Sequence, residues 1–397
     1  MARCRIHEFR PIGRFNYTKM NNEPINIFIS GDFAPRMRVN EVIKNGDYQL
    51  LYNDILQLIK DADLAITNLE SPLLENGTPI AKTGPNLKAP IKSIEAIKFA
   101  GFDMVTLANN HMMDYGPEGL FSTIKACEDN QIKHIGAGEN LEKAKQIQNF
   151  ELKGQRIAFI NFCENEWSTT QGEEPGCNPL NEVGIYYQIE EAKKNAAFVI
   201  LIIHGGHETY EYPSPRMKKL YRWFIDLGVD AVIGHHTHCF SGYELYKGKP
   251  IVYSLGNFVF DSDKRKSSWN IGAAAMLSIQ ESNIDLVLYP FTQCDDTVGA
   301  HLFDEKKKEE WLAKEQIKTS QIQDDKLLYD KFKGFVAKQE RLYRSYLEPK
   351  SPSWILAAKN RGWLPRRISG AKRLLYQNII RAEAHRDIII ELLSRDK

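Results

Sequence analysis

Short, dense apolar runs alternate along most of the chain with stretches whose apolar residues recur at helical spacing. Ile25–Ser30 has the length and β-branched content of a strand, and Ala62–Thr67 and Phe102–Leu107 read alike. Leu50–Ile59, Ile91–Phe99 and Pro117–Asn130 are predicted helices, the last opening on a proline suited to a first turn. The second half repeats the alternation. Arg156–Phe162 and Ala197–Ile203 are almost wholly apolar, as expected of strands covered on both faces. Arg216–Leu227 is a predicted helix that turns Leu220, Trp223 and Phe224 inward. Val229–Ile233 and Pro250–Leu255 are predicted strands, and Ala273–Ile279 with Ile284–Tyr289 a hairpin around Asn283. Alternation of this kind predicts an α/β fold.

From about Asp304 the pattern changes. A charged stretch opening at Lys306 carries apolar residues at helical intervals through Tyr346, and Pro349 and Pro352 interrupt it. Residues 351–397 hold ten Lys/Arg against four Asp/Glu, interleaved with Leu374, Leu375, Ile379, Ile380, Ile388 and Ile389. The expected division is a basic lead-in over 1–24, an α/β domain over 25–300 and a helical, basic appendage over 301–397. A length of 397 residues suits one large domain with such an extension.

The formal net charge is +1, so nucleic acid is not an expected partner. No apolar run reaches the roughly 18 residues of a spanning helix. The amino terminus lacks the apolar core of a signal peptide, and the six cysteines form no C-x-x-C pair. Reduced thiols and a cytoplasmic location are the expectation. The basic tail has two readings: a solvated helix face packed on the main domain, or a peripheral contact with an anionic polymer, a partner protein or the inner face of the membrane. Trp354, Trp363 and Leu364 beside Arg366-Arg367 suit the second.

Polar residues gather where the predicted strands end, which is where ligands collect in α/β sheets. The ends read Gly31-Asp32, Asn68-Leu69-Glu70, Asn109-Asn110-His111 with Asp114 beyond, His204-Gly205-Gly206-His207-Glu208, Gly234–His238 and Ser254-Leu255-Gly256-Asn257. An H-x-H pair leaving an extended strand aims both imidazoles one way, because residues two apart share a face. Carboxylates mixed with imidazoles suit manganese, iron or zinc rather than calcium. There are enough candidate ligands for two divalent ions sharing a bridging carboxylate, an arrangement able to stabilise a phosphoryl group. A histidine outside the ligand set would protonate the leaving oxygen; His111, oriented by Asp114, is the candidate.

These segments, in this order and with Tyr253–Phe258, resemble the capsule-synthesis CapA family, which looks like an offshoot of the calcineurin-like metallophosphoesterases. The resemblance spans roughly residues 25–295. It implies a layered α/β sandwich, two mixed sheets flanked by helices, and a metal-dependent phosphatase or phosphodiesterase acting on a phosphorylated saccharide or anionic polymer in capsule assembly. Position by position, it implies Asp32 as the first metal carboxylate, Glu70 as the bridging acid and Asn110 as a metal-binding amide. His204, His236 and His238 are then histidine ligands, and His111 the catalytic histidine. Lys82 and Asn86 match a substrate-facing loop; Arg36, His207, Glu208 and Asn257 are candidate substrate contacts. Manganese is the foremost ion, with two ions expected.

The match is incomplete. Phe33 and Ala34 follow Asp32, so the usual D-x-H opening is absent and one ligand of the first metal is missing. Taken singly, the residues also have plain structural readings. Asp32 would cap a turn, Glu70 and Asn68 would serve the turn before Pro72, His204 would be a buried hydrogen-bonded histidine, and Asn257 would tie loops together. Two further functions stay open: a component of polyglutamate capsule synthesis acting on an amide-linked polymer, and a non-catalytic scaffold in a biosynthetic complex.

Overall fold

The computed structural model describes residues 23–263, 268–347 and 369–395, with Trp354, Ala358, Arg361 and Trp363 as single positions between. Nearly all of the expected lead-in over 1–24, and Leu364, Arg366 and Arg367 of the tail, lie outside the described residues.

Two mixed sheets face one another. The first has eight strands. Its parallel part is β1 (Ile25–Phe33), β2 (Leu64–Leu69), β3 (Met104–Thr106) and β4 (Lys133–Ile135). On the other side of β1 run β14 (Ile271–Gln280), β15 (Asn283–Gln293) and β16 (Ala300–Leu302), antiparallel, while the short β13 (Asn257–Val259) pairs with the end of β1. The second sheet has six strands in the order β11 (Tyr243–Tyr246), β12 (Lys249–Val252), β10 (Ala231–His235), β9 (Phe198–His204), β7 (Gln155–Cys163) and β6 (Gln148–Leu152). A ribbon of β5 (Ala137–Gly138) and β8 (Gly176–Cys177) lies apart from both.

The period-two pattern explains the layering. Ile25, Ile27 and Ile29 of β1 point between the sheets, against Phe159, Ile200, Ile202 and Ile233 of the second sheet. Phe28 points the other way, into the layer of α1 (Arg38–Asn45), α2 (Gln49–Tyr52), α3 (Leu56–Lys60), α4 (Ser93–Ala100) and α5 (Gly116–Asp129). The short α6 (Leu141–Ala144) precedes β6, and α7 (Glu182–Lys193) and α8 (Pro215–Asp226) cover the outer face of the second sheet. Burial on both faces is why these strands read as continuous apolar runs. The chain is therefore an α/β sandwich of two mixed sheets flanked by helices.

Two local expectations are corrected. The helix predicted over Leu50–Ile59 is broken at Asn53, whose φ is 44° and whose amide donates to the carbonyls of Leu50 and Ala300. In α8, Met217, Tyr221, Phe224 and Ile225 are the buried apolar residues, whereas Leu220 and Trp223 are only half-buried. Ser214 caps the helix and Pro215 starts it, which sets the inward phase at Met217 and repeats it at helical spacing.

Among the described residues, the carboxy-terminal helices are α9 (Glu305–Gln323), α10 (Asp325–Leu347), α11 (Gly370–Arg381) and α12 (Glu383–Arg395). Trp311 of α9 enters the layer between the sheets, and Ile322 joins the cluster outside the second sheet. Phe332, Val336 and Tyr343 of α10 pack with Ile388 and Leu392 of α12 and with Tyr210, which lies beyond the end of β9. Part of the tail's aliphatic content is thus core, while Ile380 and Ile390 stay exposed.

Candidate metal centre

The carboxyl ends of β1, β2, β9 and β10 meet between the sheets. Close approach of backbones makes this possible at two glycines. A Cβ on Gly31 would lie 2.0 Å from the Gly256 carbonyl oxygen, and one on Gly234 would lie 2.1 Å from that of Tyr253. Beyond them the chain delivers Asp32, Glu70, His204, His235, His236 and His238, all buried.

The convergence of the H-x-H pair has a different cause from the one its spacing suggests. β10 ends at His235, and His236 and His238 both adopt left-handed backbone, with φ of 92° and 58°. A turn, not an extended strand, brings their rings to 6.0 Å. Two non-glycine residues held there cost of order 1–3 kcal/mol each, the kind of strain that persists where a site requires it. His235 points elsewhere, its Nε2 lying 3.0 Å from the Ser30 carbonyl oxygen.

Around His204 the polar atoms crowd. Its Nε2 lies 3.0 Å from His236 Nδ1, 3.1 Å from Asn110 Oδ1 and 3.6 Å from Glu70 Oε1. Asn68 Nδ2 donates to Asp32 Oδ1 at 2.7 Å and lies 3.2 Å from His204 Nδ1. The other Asp32 oxygen accepts the His236 backbone N–H at 3.2 Å and sits 3.8 Å from His238 Nδ1. Two groups of three ligand atoms emerge, each within 4.8 Å: Glu70, His204 and His236, and Asp32, Glu70 and His238. Glu70 belongs to both.

Glu70 is also the anomaly. Both of its carboxylate oxygens are buried and accept no hydrogen bond. Burial first, then the charges of Asp32 and Glu208, push its carboxyl well above the usual range. A buried carboxylate without a partner is costly unless a cation compensates it. Burial likewise drives His204 well below the ordinary histidine range, aided by His236, so it stays neutral, the form that binds metals. The donor set therefore fits one divalent transition ion, or two bridged by Glu70.

Beside this cluster stands a second constellation. Asp114 accepts from His111 Nδ1 at 2.6 Å, from Lys82 Nζ, and from the Leu87 backbone N–H. Burial lowers the His111 pKa, Asp114 opposes that, and Lys82 reinforces it. With Nδ1 taken, Nε2 is left for the cavity that His111 lines. Asn86 holds this loop in place by donating to the carbonyls of Ile80 and Asp114, so its amide is engaged in structure.

The remaining candidates separate. Arg36 lines the cavity with Glu208, Lys82 and His111. Burial opposes ionisation of Glu208, but His238, His236 and His111 outweigh it and hold its carboxyl below the usual range. Arg38, two residues beyond Arg36, is instead committed to Asp261 and to carbonyls of the Cys294–Asp296 turn and takes no part in the cavity. Asn257 Oδ1 lies 3.0 Å from His238 Nδ1, and its Nδ2 donates to the His238 and Trp269 carbonyls, which orients that imidazole. His207 borders the cavity, but its ring is 3.7 Å from Asp387 and edges onto Phe332 and Phe335, away from both ligand groups.

His207 has a measurable signature. Burial pushes its pKa from the ordinary 6.5 down to about 3. Below 6.5 the unfolded chain binds a proton that the folded chain refuses until about 3, so stability falls with falling pH across that window. Between pH 7 and pH 5, urea denaturation is expected to show the wild type losing about 2 kcal/mol more than His207→Phe, at roughly 1.4 kcal/mol per pH unit. Equal losses would place the ring elsewhere.

Several lining residues escaped the sequence reading. Glu166 has an oxygen 3.7 Å from His236 Nε2, and it follows β7, a strand end like the others that the same reasoning would have collected. Trp269 lies against the His238 ring at 4.7 Å between centroids. Tyr343, Asn378 and His385, from α10, α11 and α12, line the same cavity as His111 without any local signal.

Fold and site together define an α/β sandwich protein with a buried acid–imidazole cluster suited to divalent metal. A family model described as "Bacterial capsule synthesis protein PGA_cap" matches residues 26–262, and the chain belongs to that family. It is 34% identical over 249 residues to the "Capsule biosynthesis protein CapA" of Bacillus anthracis, covering 60% of this chain and 61% of that one. It is 30% identical over 235 residues to the "PGA biosynthesis protein CapA" of Bacillus subtilis (strain 168), covering 58% and 62%. The chain thus spans about three fifths of the length of these relatives. A solved structure of a hypothetical protein from Thermus thermophilus shares 14% identity at a TM-score of 0.43, covering 67% of this chain and 99% of that one, a loose likeness of shape only. Helices α9–α12 lie beyond the matched range.

Proposed function

We infer that the protein is a metal-dependent phosphoric ester hydrolase of capsule or surface-polysaccharide assembly, with a phosphorylated saccharide as substrate. The observation that carries this reading is Glu70, shared by two ligand groups and without a hydrogen-bond partner at either oxygen, set beside the His111–Asp114 pair. Asp32, Glu70, His204, His236 and His238 would hold the ions, with Asn110 at His204. Divalent cations bound there would supply Lewis acidity toward a phosphoryl oxygen and lower the pKa of water. Asp114, at Nδ1, orients the His111 ring and stabilises its protonated form, whose Nε2–H would be the proton given to the leaving oxygen. Lys82 and Arg36 add positive charge where the phosphate would sit. The acid, imidazole and Lys82 side chains are buried, where charges interact more strongly than in water.

With Mn²⁺, the purified protein is expected to hydrolyse an aryl phosphate. His111→Ala should lower kcat about 10²–10⁴-fold, the usual weight of general acid catalysis, while keeping its metal. Asp32→Ala should lose both activity and metal. Activity in both variants equal to the wild type would sink the reading.

The Bacillus subtilis relative, a PGA biosynthesis protein, favours a second one, a step of polyglutamate synthesis on an amide-linked polymer. The same cluster would then polarise an amide carbonyl. Hydrolysis of γ-glutamyl peptides in place of aryl phosphates would select it.

A further inference from the structure

Helices α10, α11 and α12 lie outside the family-matched residues, yet they form one wall of the cavity over the metal cluster. The cavity measures about 570 Å³. That is room for a group of one or two sugar rings rather than for the middle of a long polymer.

The wall is chemically specific. A hydrogen-bonded chain crosses it: His385 Nδ1 lies 2.6 Å from the Tyr343 hydroxyl, and Asn378 Nδ2 lies 2.9 Å from His385 Nε2. The chain ends at Asn378 Oδ1, which is buried and has no hydrogen-bond partner. Glu166 and Glu208 line the same cavity from the sandwich side. Burial raises the Tyr343 phenol above its usual range. Between the polar groups, Tyr346, Leu375 and Ile379 offer apolar surface.

A ligand that fills this space needs several hydrogen-bond donors and a carbon skeleton that lies against aliphatic and aromatic side chains. An aryl group supplies only the second, and inorganic phosphate neither. A sugar or polyol supplies both.

We propose that the carboxy-terminal helices form a subsite for the hydroxyl-rich leaving group of the substrate, a saccharide or polyol terminus, with the Asn378 side chain hydrogen-bonding one of its hydroxyls. This rests on the phosphoester reading of the metal centre. The Tyr343–His385 pair positions Asn378, and the size of the chamber admits a chain end.

Calorimetric binding to the Mn²⁺-loaded full chain tests it, with a hexose 1-phosphate compared against inorganic phosphate. The wild type is expected to prefer the hexose phosphate at least tenfold. Asn378→Ala should reduce that preference about tenfold, the weight of one or two hydrogen bonds. Leu375→Trp, which narrows the chamber from its apolar side and spares the polar chain, should reduce it similarly. Circular dichroism and metal content check that both variants fold and load. In turnover, the ratio of kcat/KM for hexose phosphate over aryl phosphate should fall in parallel. No preference in the wild type, or a preference that survives both substitutions, overturns the proposal. A preference that follows these expectations without any turnover supports the subsite and overturns only the phosphoester reading.

Discussion

Glu70→Gln is expected to raise the stability of the metal-free protein while abolishing its stabilisation by metal. The carboxylate is fully buried, accepts no hydrogen bond and faces Asp32. An amide of the same shape removes the cost of burying an ionisable carboxyl beside Asp32, worth about 1–3 kcal/mol in the metal-free state. In the wild type, a cation at a thousand times its Kd adds about 4 kcal/mol through binding to the folded state alone. The variant removes the ligand common to both groups, so most of that gain should vanish, and aryl phosphate hydrolysis with it. Thermal denaturation with and without Mn²⁺ and EDTA reads both halves. A variant less stable than the metal-free wild type, or one still stabilised by Mn²⁺ to the same extent, would show that Glu70 is a structural acid.

Arg216→Met should loosen the carboxy-terminal helices. Arg216 joins Glu164, behind the metal cluster, to Asp387 on α12, and Ser214 also donates to Asp387. Both acids are largely buried, and burial, against the pull of Arg216, already pushes the Asp387 carboxyl up to about 6. Removing the guanidinium leaves two buried acids facing each other, a change that typically costs about 3–5 kcal/mol. The loss should appear as rapid limited proteolysis within α11 and α12 while the sandwich survives. Restoring neutrality with Glu164→Gln and Asp387→Asn in the same chain should recover much of the protection. Unchanged cleavage in Arg216→Met would mean that the apolar contacts of Phe332, Val336 and Ile388 hold α12 unaided.

Much of this molecule is legible in one dimension because its strands are buried on both faces. Ile25–Ser30, Ala197–Ile203 and Val229–Ile233 announce themselves as apolar runs, and the polar residues that end them carry the buried acid–imidazole cluster. Glu166 was equally legible at the end of β7. The helix phase at Met217 was not, because a cap and a proline one turn away set it.

By itself, then, the sequence determined the alternation of strands and helices and the residue types gathered at the strand ends, since both follow from local burial and chain direction. Only the tertiary structure decided that Glu70 is shared by two candidate ligand groups, that left-handed turns aim His236 and His238, and that Asn257 orients the His238 imidazole. It also decided that Tyr343, Asn378 and His385, more than two hundred residues from His111, face the same cavity. The physical reason is the same in each case. A side chain's type is written locally, but its partners are set by the packing of segments distant in the chain, and no spacing along the sequence encodes that.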